Sequence, residues 1–198
     1  VVQLALVEGT GQVWLAKGNH FWSFDVNGTE LFDLEIRYLV SLSIDQAQGL
    51  MWVATTQQVA AYDMTLGTGM NIYLDLPLGT VVRHAEVDPA SGMVWVAADS
   101  GILLFDDRGL LQSWSPSPAV ERLVSLGADP GSGMAGMTGP NLYLFGSDGR
   151  SHSSLQPFGI DRDLVDLLAD PGSHSVWVTD GVDLARVNRL GSIESTRP

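Results

Sequence analysis

The chain is 198 residues long, 45% apolar and without cysteine, and it carries a formal net charge of −13 with a pI near 4.4. A surface this acidic repels phosphate backbones and anionic lipid, and its basic residues, Lys17 and nine scattered arginines, form no patch, so no nucleic-acid partner is expected. The missing cysteines exclude disulfides, thiolate chemistry and cysteine-based zinc sites, and no apolar run approaches the roughly 18 residues of a membrane span, so no membrane insertion is expected.

The dominant pattern is recurrence. Trp14, Trp52, Trp95, Gly136 and Trp177 follow one another at intervals of 38, 43, 41 and 41 residues, each opening a short apolar stretch: GQVWLA, GLMWVA, GMVWVA, GMAGMT and HSVWVT. A period near 40 residues with turn residues at fixed offsets is the signature of four short strands per unit. It predicts one all-β domain over 1–198, divided into units 1–37, 38–80, 81–121, 122–162 and 163–198.

Unit one runs from a first strand ending at Val7, through Trp14 and the loop Lys17–His20, to FWSF, the turn Asn27-Gly28 and TELFDLEI. Unit two has Asp45 seven residues before Trp52, then VAAY and Asp63, an inserted LGTGMN in the last hairpin, and NIYLDL. Unit three is the most regular, with Asp88-Pro89 seven residues before Trp95, then Asp99-Ser100, ILLF, Asp106, Arg108-Gly109 and LLQSW. In unit four Asp129-Pro130 precedes Gly136, where Met134 and Met137 are expected to fill the volume of the absent indole. LYLF then leads to Gly146, ten residues after the slot rather than eleven, and on to Asp148-Gly149 and SSLQP. Unit five places Asp170-Pro171 before Trp177, then LARV, Asn188, Leu190-Gly191 and SIEST. The recurring aspartates read as turn caps and not as calcium ligands, because one carboxylate per turn does not make a site of six to eight oxygens.

The first strand of each unit would be the innermost of a ring. One face is apolar, as in Val2, Leu4 and Leu6 or Val165, Leu167 and Ala169, and suits packing on a neighbouring unit. The other is smaller and more polar, with Gln3, Ser41, His84, Ser125 and Asp166 at one recurring position.

Segments such as VDPASGMVWVAADSGILLFDDRG resemble the repeats of β-propellers, specifically those of two-component-regulator sensor propellers and the NHL group. The likeness extends over all five units. It implies a propeller of five four-stranded blades, or an open five-blade arc of a larger propeller, used as a recognition module. A closed five-blade ring would have no strand exchange to latch it, so Val2, Leu4 and Leu6 would have to pack against blade five, near Val176, Val178 and Val187.

Two sites and three functions follow. His84, Glu86 and Asp166 converge on a central channel if the protein is an enzyme, resembling in fragments the streptogramin lyases or the calcium-dependent lactonases. Against this stands the plainer reading of a water-filled polar channel. The second site is the face made by the loops after each second strand and by the connections between units, acidic and different in every copy, with Asp99, Glu121, Asn141, Asp161, Asp180 and Asp183 as candidate contacts. As surface residues, Asp180 and Asp183 are expected to be replaceable within about 0.5 kcal/mol of stability. The preferred expectation is a noncatalytic module without cofactor or metal that binds a protein or glycan partner and belongs to a larger extracytoplasmic sensor or surface protein. A structural subunit of an assembly is the third possibility. The initial Val1, in place of methionine, suggests a processed product or an excised piece.

Overall fold

A computed structural model describes residues 2–7, 10–64, 70–126 and 133–197. The Asp129-Pro130 turn and most of the LGTGMN insertion lie outside the described residues, as do the side chains of Val2 and Gln3. The chain forms five four-stranded antiparallel sheets, each with its strands in sequence order. Blade one holds β1 (Val2–Val7), β2 (Gln12–Lys17), β3 (His20–Phe24) and β4 (Glu30–Glu35). Blade two holds β5 (Leu39–Asp45), β6 (Leu50–Thr55), β7 (Val59–Asp63) and β8 (Met70–Tyr73). Blade three holds β9 (Val82–Val87), β10 (Val94–Ala98), β11 (Gly101–Phe105) and β12 (Leu111–Ser115). Blade four holds β13 (Arg122–Ser125), β14 (Met134–Thr138), β15 (Asn141–Phe145) and β16 (Ser151–Leu155). Blade five holds β17 (Asp166–Asp170), β18 (Ser175–Thr179), β19 (Leu184–Asn188) and β20 (Ile193–Arg197). Among the described residues the one helical element is a 3-10 turn at Pro171–Ser173, and no helix is long and apolar enough to cross a membrane.

Turn chemistry closes the hairpins as their residues require. Asp25 Oδ1 accepts from the amides of Asn27 and Thr29 at 2.8 and 2.7 Å, and Asp106 and Asn188 repeat the motif two and four residues downstream. The Asp25 carboxyl lies below the ordinary aspartate value, chiefly because the Thr29 amide donates to it. Of the aspartates before the second strands, Asp45 takes the Gln48 amide and Asp88 takes the Ala90 amide and the Ser91 hydroxyl.

Strand register shows which residues are equivalent. Val13 opposes Phe24, Met51 opposes Tyr62, Val94 opposes Phe105, Met134 opposes Phe145 and Val176 opposes Val187. The next residue in each second strand is therefore Trp14, Trp52, Trp95, Ala135 and Trp177, so the tryptophan slot of blade four is Ala135 and not Gly136. Each slot then stands eleven residues before Asp25, Asp63, Asp106, Gly146 or Asn188. Every sheet has a forward face carrying the slot and a rear face carrying the aromatic or valine before the hairpin.

The core consists of four layers, each made by the forward face of one blade and the rear face of the next. Trp14 and Phe21 meet Leu42 and Met51; Trp52 and Ala61 meet Val94 and Phe105; Trp95 and Ile102 meet Met134 and Phe145; Ala135 and Met137 meet Val176 and Val187. Trp14, Trp52 and Trp95 are each 1% exposed. Blade four compensates for its small slot residue with Met137, which takes the place of Ala16, Ala54 and Ala97 and faces blade five. Met134 points the other way, toward blade three, so one of the two expected gap-filling methionines serves that purpose.

The two ends of the arc differ from the expected seam. Val176, Val178 and Val187 pack backward on blade four. Leu4 and Leu6, on the rear face of blade one, are 69% and 55% exposed. On the forward face of blade five Leu168 is 69% exposed and Trp177 only half-buried, with Arg186 over its ring at 5.7 Å. Trp177 thus departs from the burial of the other three slot tryptophans, because no fifth forward-to-rear layer covers it.

Candidate functional site

The first strands β1, β5, β9, β13 and β17 stand side by side around the centre and leave their inner edges facing one another. Part of that edge is satisfied by side chains. The Ser41 hydroxyl donates to the Ala85 carbonyl at 3.2 Å and accepts from the Ala85 amide at 2.8 Å, while Ser43 Oγ accepts from the Val87 amide at 3.0 Å. Ser125 donates to Asp88 at 3.1 Å. These serines tie neighbouring blades together and are spoken for structurally.

A cavity of about 500 Å³ opens at the end of the channel near the first hairpins, with His84, Glu86, Arg122 and Asp166 in its wall. His84 is 5% exposed and its Nε2 lies 3.7 Å from Glu86 Oε2, as expected for residues two apart on one strand face. All three channel candidates thus line one cavity, and the Asp166 carboxylate there is ion-paired with Arg122. Arg122 takes the recurring polar position in blade four, whose register lies one residue from the one that a slot at Gly136 implies. It opposes Met137 as His84 opposes Ala97 and Asp166 opposes Thr179, so the fourth member of the polar position is Arg122, while Ser125 turns to blade three. The channel therefore contains a cation where the sequence pattern placed a hydroxyl. Among the described residues no group of three or more His, Asp or Glu side chains is gathered closely enough to hold a metal.

The opposite mouth of the channel is a second concavity of about 410 Å³, walled by Thr56, Val81, Arg83, Glu121, Arg122 and Val165 among others. It lies on the face built from the loops after the second strands and from the connections between blades. Asp99 holds Arg83 at 2.6 Å, and Asn141 accepts from the Gln156 amide at 3.0 Å. Glu121 is exposed at the rim and Asp161 is exposed further out.

Asp180 and Asp183 are built differently from free surface carboxylates. Asp180 Oδ1 accepts from the amides of Val182 and Asp183 at 2.9 and 2.7 Å, and Arg162 bridges Asp180 and Asp183, at 2.7 Å from the latter. Only 3% of the Asp180 side chain is exposed. Burial pushes its carboxyl upward, but the Asp183 and Val182 amides and the Arg162 guanidinium outweigh that and leave it below the ordinary aspartate value. Asp180 therefore shapes its own loop, and the expectation that it could be removed without effect on stability does not fit its surroundings.

The loop face also carries a feature that the repeat pattern does not show. Tyr38, Leu78, Ile160, Val165 and Val182 all project from it as exposed apolar side chains, whereas the opposite hairpin face shows Val26, Leu110 and Leu190. The connections between blades differ so much in length and sequence that no alignment of the copies brings these residues into register.

No family model matches the chain, and no curated protein matches it in sequence. Solved structures do match. The chain aligns over 99% of its length with BBS1N in complex with ARL6DN, in a lead-soaked crystal, at a TM-score of 0.76 and 15% identity. The fold is a β-propeller fold. A mercury-soaked crystal of the same complex gives a TM-score of 0.71, again at 15% identity and 99% coverage. The match takes in 65% and 64% of those longer chains, so this chain spans just under two-thirds of their length. At this identity the likeness establishes the propeller fold, while the finer resemblance to sensor or NHL propellers rests on the repeat residues alone.

Proposed function

We propose that the protein is a noncatalytic recognition module that binds a protein partner through its loop face, as part of a larger polypeptide. The observation that carries this reading is the set of exposed apolar side chains, Tyr38, Leu78, Ile160, Val165 and Val182, on one face around a charged channel mouth. Large side chains held in water gain by being covered, and an apolar set rimmed by carboxylates is the composition of an interaction surface. A rigid scaffold holding copy-specific loops supplies the asymmetry that a specific partner needs. The solved propeller it resembles is itself bound to a second protein, which supports the class of function and says nothing of which partner this chain takes.

The test is affinity capture with three forms of the protein, followed by mass spectrometry of what is retained. A partner should be held by the unaltered chain and by the channel variant His84→Gln, and lost from the loop-face variant Leu78→Asp with Ile160→Asp. A control on the opposite face, Val26→Asp with Leu190→Asp, should retain it. Loss with the opposite-face variant and retention with the loop-face variant would refute the assignment.

A further inference from the structure

The four internal layers follow one rule, that a forward face packs on a rear face, and the arc ends with one of each uncovered. At the far end Trp177, Leu168 and Leu184 occupy positions equivalent to Trp95, Glu86 and Ile102, yet Leu168 and Leu184 stay exposed where Ile102 is fully buried. At the near end Leu4 and Leu6 replace Ala85 and Val87, which are sealed at 2% and 3% exposure, and remain in water. A second observation agrees. A Cβ at hairpin glycine Gly109 would lie 2.7 Å from Tyr73 O of the preceding blade, and one at Gly149 would lie 2.5 Å from Leu104 Cδ1; at the matching Gly28 nothing lies within 4 Å. The positive φ of the turn, +79° at Gly28, accounts for the glycine itself; the empty space around it shows that no blade stands beside the hairpin of blade one.

We infer that these two faces are seams of a larger ring, and that their occupant is a wedge of further four-stranded blades of the same repeat type. Such a wedge would lay a rear face on Trp177 and a forward, tryptophan-bearing face on Leu4 and Leu6. Continuity with four existing layers of this kind argues for a blade as the occupant, since both exposed faces keep the register of a blade interface and present Leu4, Leu6, Leu168 and Leu184, although Arg186, ion-paired with Asp170 and Glu194, stands over Trp177 where Leu104 and Leu144 are buried in blades three and four. The solved propeller argues for its size. This chain fills 65% of that chain's length with five blades, and the remainder has room for about two or three more at the same length per blade. A second copy of this arc is less suitable, because a forward-to-rear contact between copies repeats without closing unless the rotation happens to complete a ring.

Two experiments on the intact chain test this. The first introduces Leu4→Glu together with Leu168→Glu. If both faces are uncovered, the melting temperature should stay within a few degrees of the original and the protein should sediment as a monomer. A collapse of the melting temperature would show that the ends already pack on each other and would overturn the inference. The second appends a copy of residues 38–121, blades two and three, after Arg197. Acrylamide quenching of Trp177, isolated by difference against Trp177→Phe, should fall several-fold and the melting temperature should rise. Unchanged quenching, failure of the extended chain to fold cooperatively, or a dimer of the unextended chain that already protects Trp177 would each overturn it.

Discussion

The slot tryptophans share a sequence context and differ in energetic weight, because the weight comes from the neighbour. Trp95 is closed in by Phe145, with ring centroids 6.5 Å apart, and by Leu123 and Val120. Its replacement by alanine should cost about 3 to 5 kcal/mol. Trp177 has the same place in its own blade but no following blade, so Trp177→Ala should cost only about 1 to 2 kcal/mol for a half-buried side chain. Urea unfolding of both variants measures the gap, and equal costs would contradict the open forward face. The sequence made the slot visible and could not show its burial, which depends on what stands opposite. The same limit applied to Asp180, which looks like any loop carboxylate until Arg162 and two amides are found around it. Its lowered folded value means that it stabilises the protein fully above the ordinary aspartate range and loses that effect as pH falls through the folded value. Asp180→Asn should therefore be less stable than the unaltered protein at pH 7, with the difference shrinking as the pH falls from the ordinary aspartate range through the lowered folded value. A difference that persists undiminished in acid would assign the effect to the lost geometry instead of the charge.

At the scale of the strand, the instructive case is blade four. All four strands of that blade could be placed from turn signals and periodicity, yet the slot was set one residue late, and in a strand one residue exchanges the two faces. The clue was present in the spacing: Gly146 stands ten residues after Gly136, against eleven in every other copy, and eleven from Ala135. The shift has chemical consequences, since it puts Arg122 at the recurring polar position and turns Ser125 toward Asp88 of blade three. It also reverses the meaning of Gly136. If this were a slot that had lost its indole, restoring tryptophan would stabilise the blade. On the rear face, a Cβ at Gly136 would already lie 2.6 Å from Val120 Cγ1 and 3.0 Å from Leu123 Cδ2. Gly136→Ala should accordingly lose about 1 to 3 kcal/mol through overpacking, and Gly136→Trp should fail to fold. Thermal melts of both variants decide the matter; a stabilising Gly136→Trp would make Gly136 the slot and Ser125 the recurring polar position.

Across the whole molecule, the repeat told the number of blades and their order, because each unit carries its own turns and alternation. It could not tell curvature, which is set by how thick each interface is, nor which connections would leave apolar side chains in water. Stability in such an array is close to a sum of blade terms and nearest-neighbour terms, so it varies with position along the array. Blade three is covered on both sides, and every residue of β10 and β11 is buried. Blades one and five each have a single covered face. Native-state hydrogen exchange should therefore show the slowest amides in β10 and β11, with protection declining toward β1–β3 in one direction and β18–β19 in the other. The terminal blades should open at lower denaturant than the centre, as units rather than residue by residue. Joining the ends through further blades would supply the two missing neighbour terms together, so the gradient should flatten in the extended chain. Uniform protection in the chain as it stands would mean that its terminal blades already have partners, and the account of two open faces would have to be abandoned.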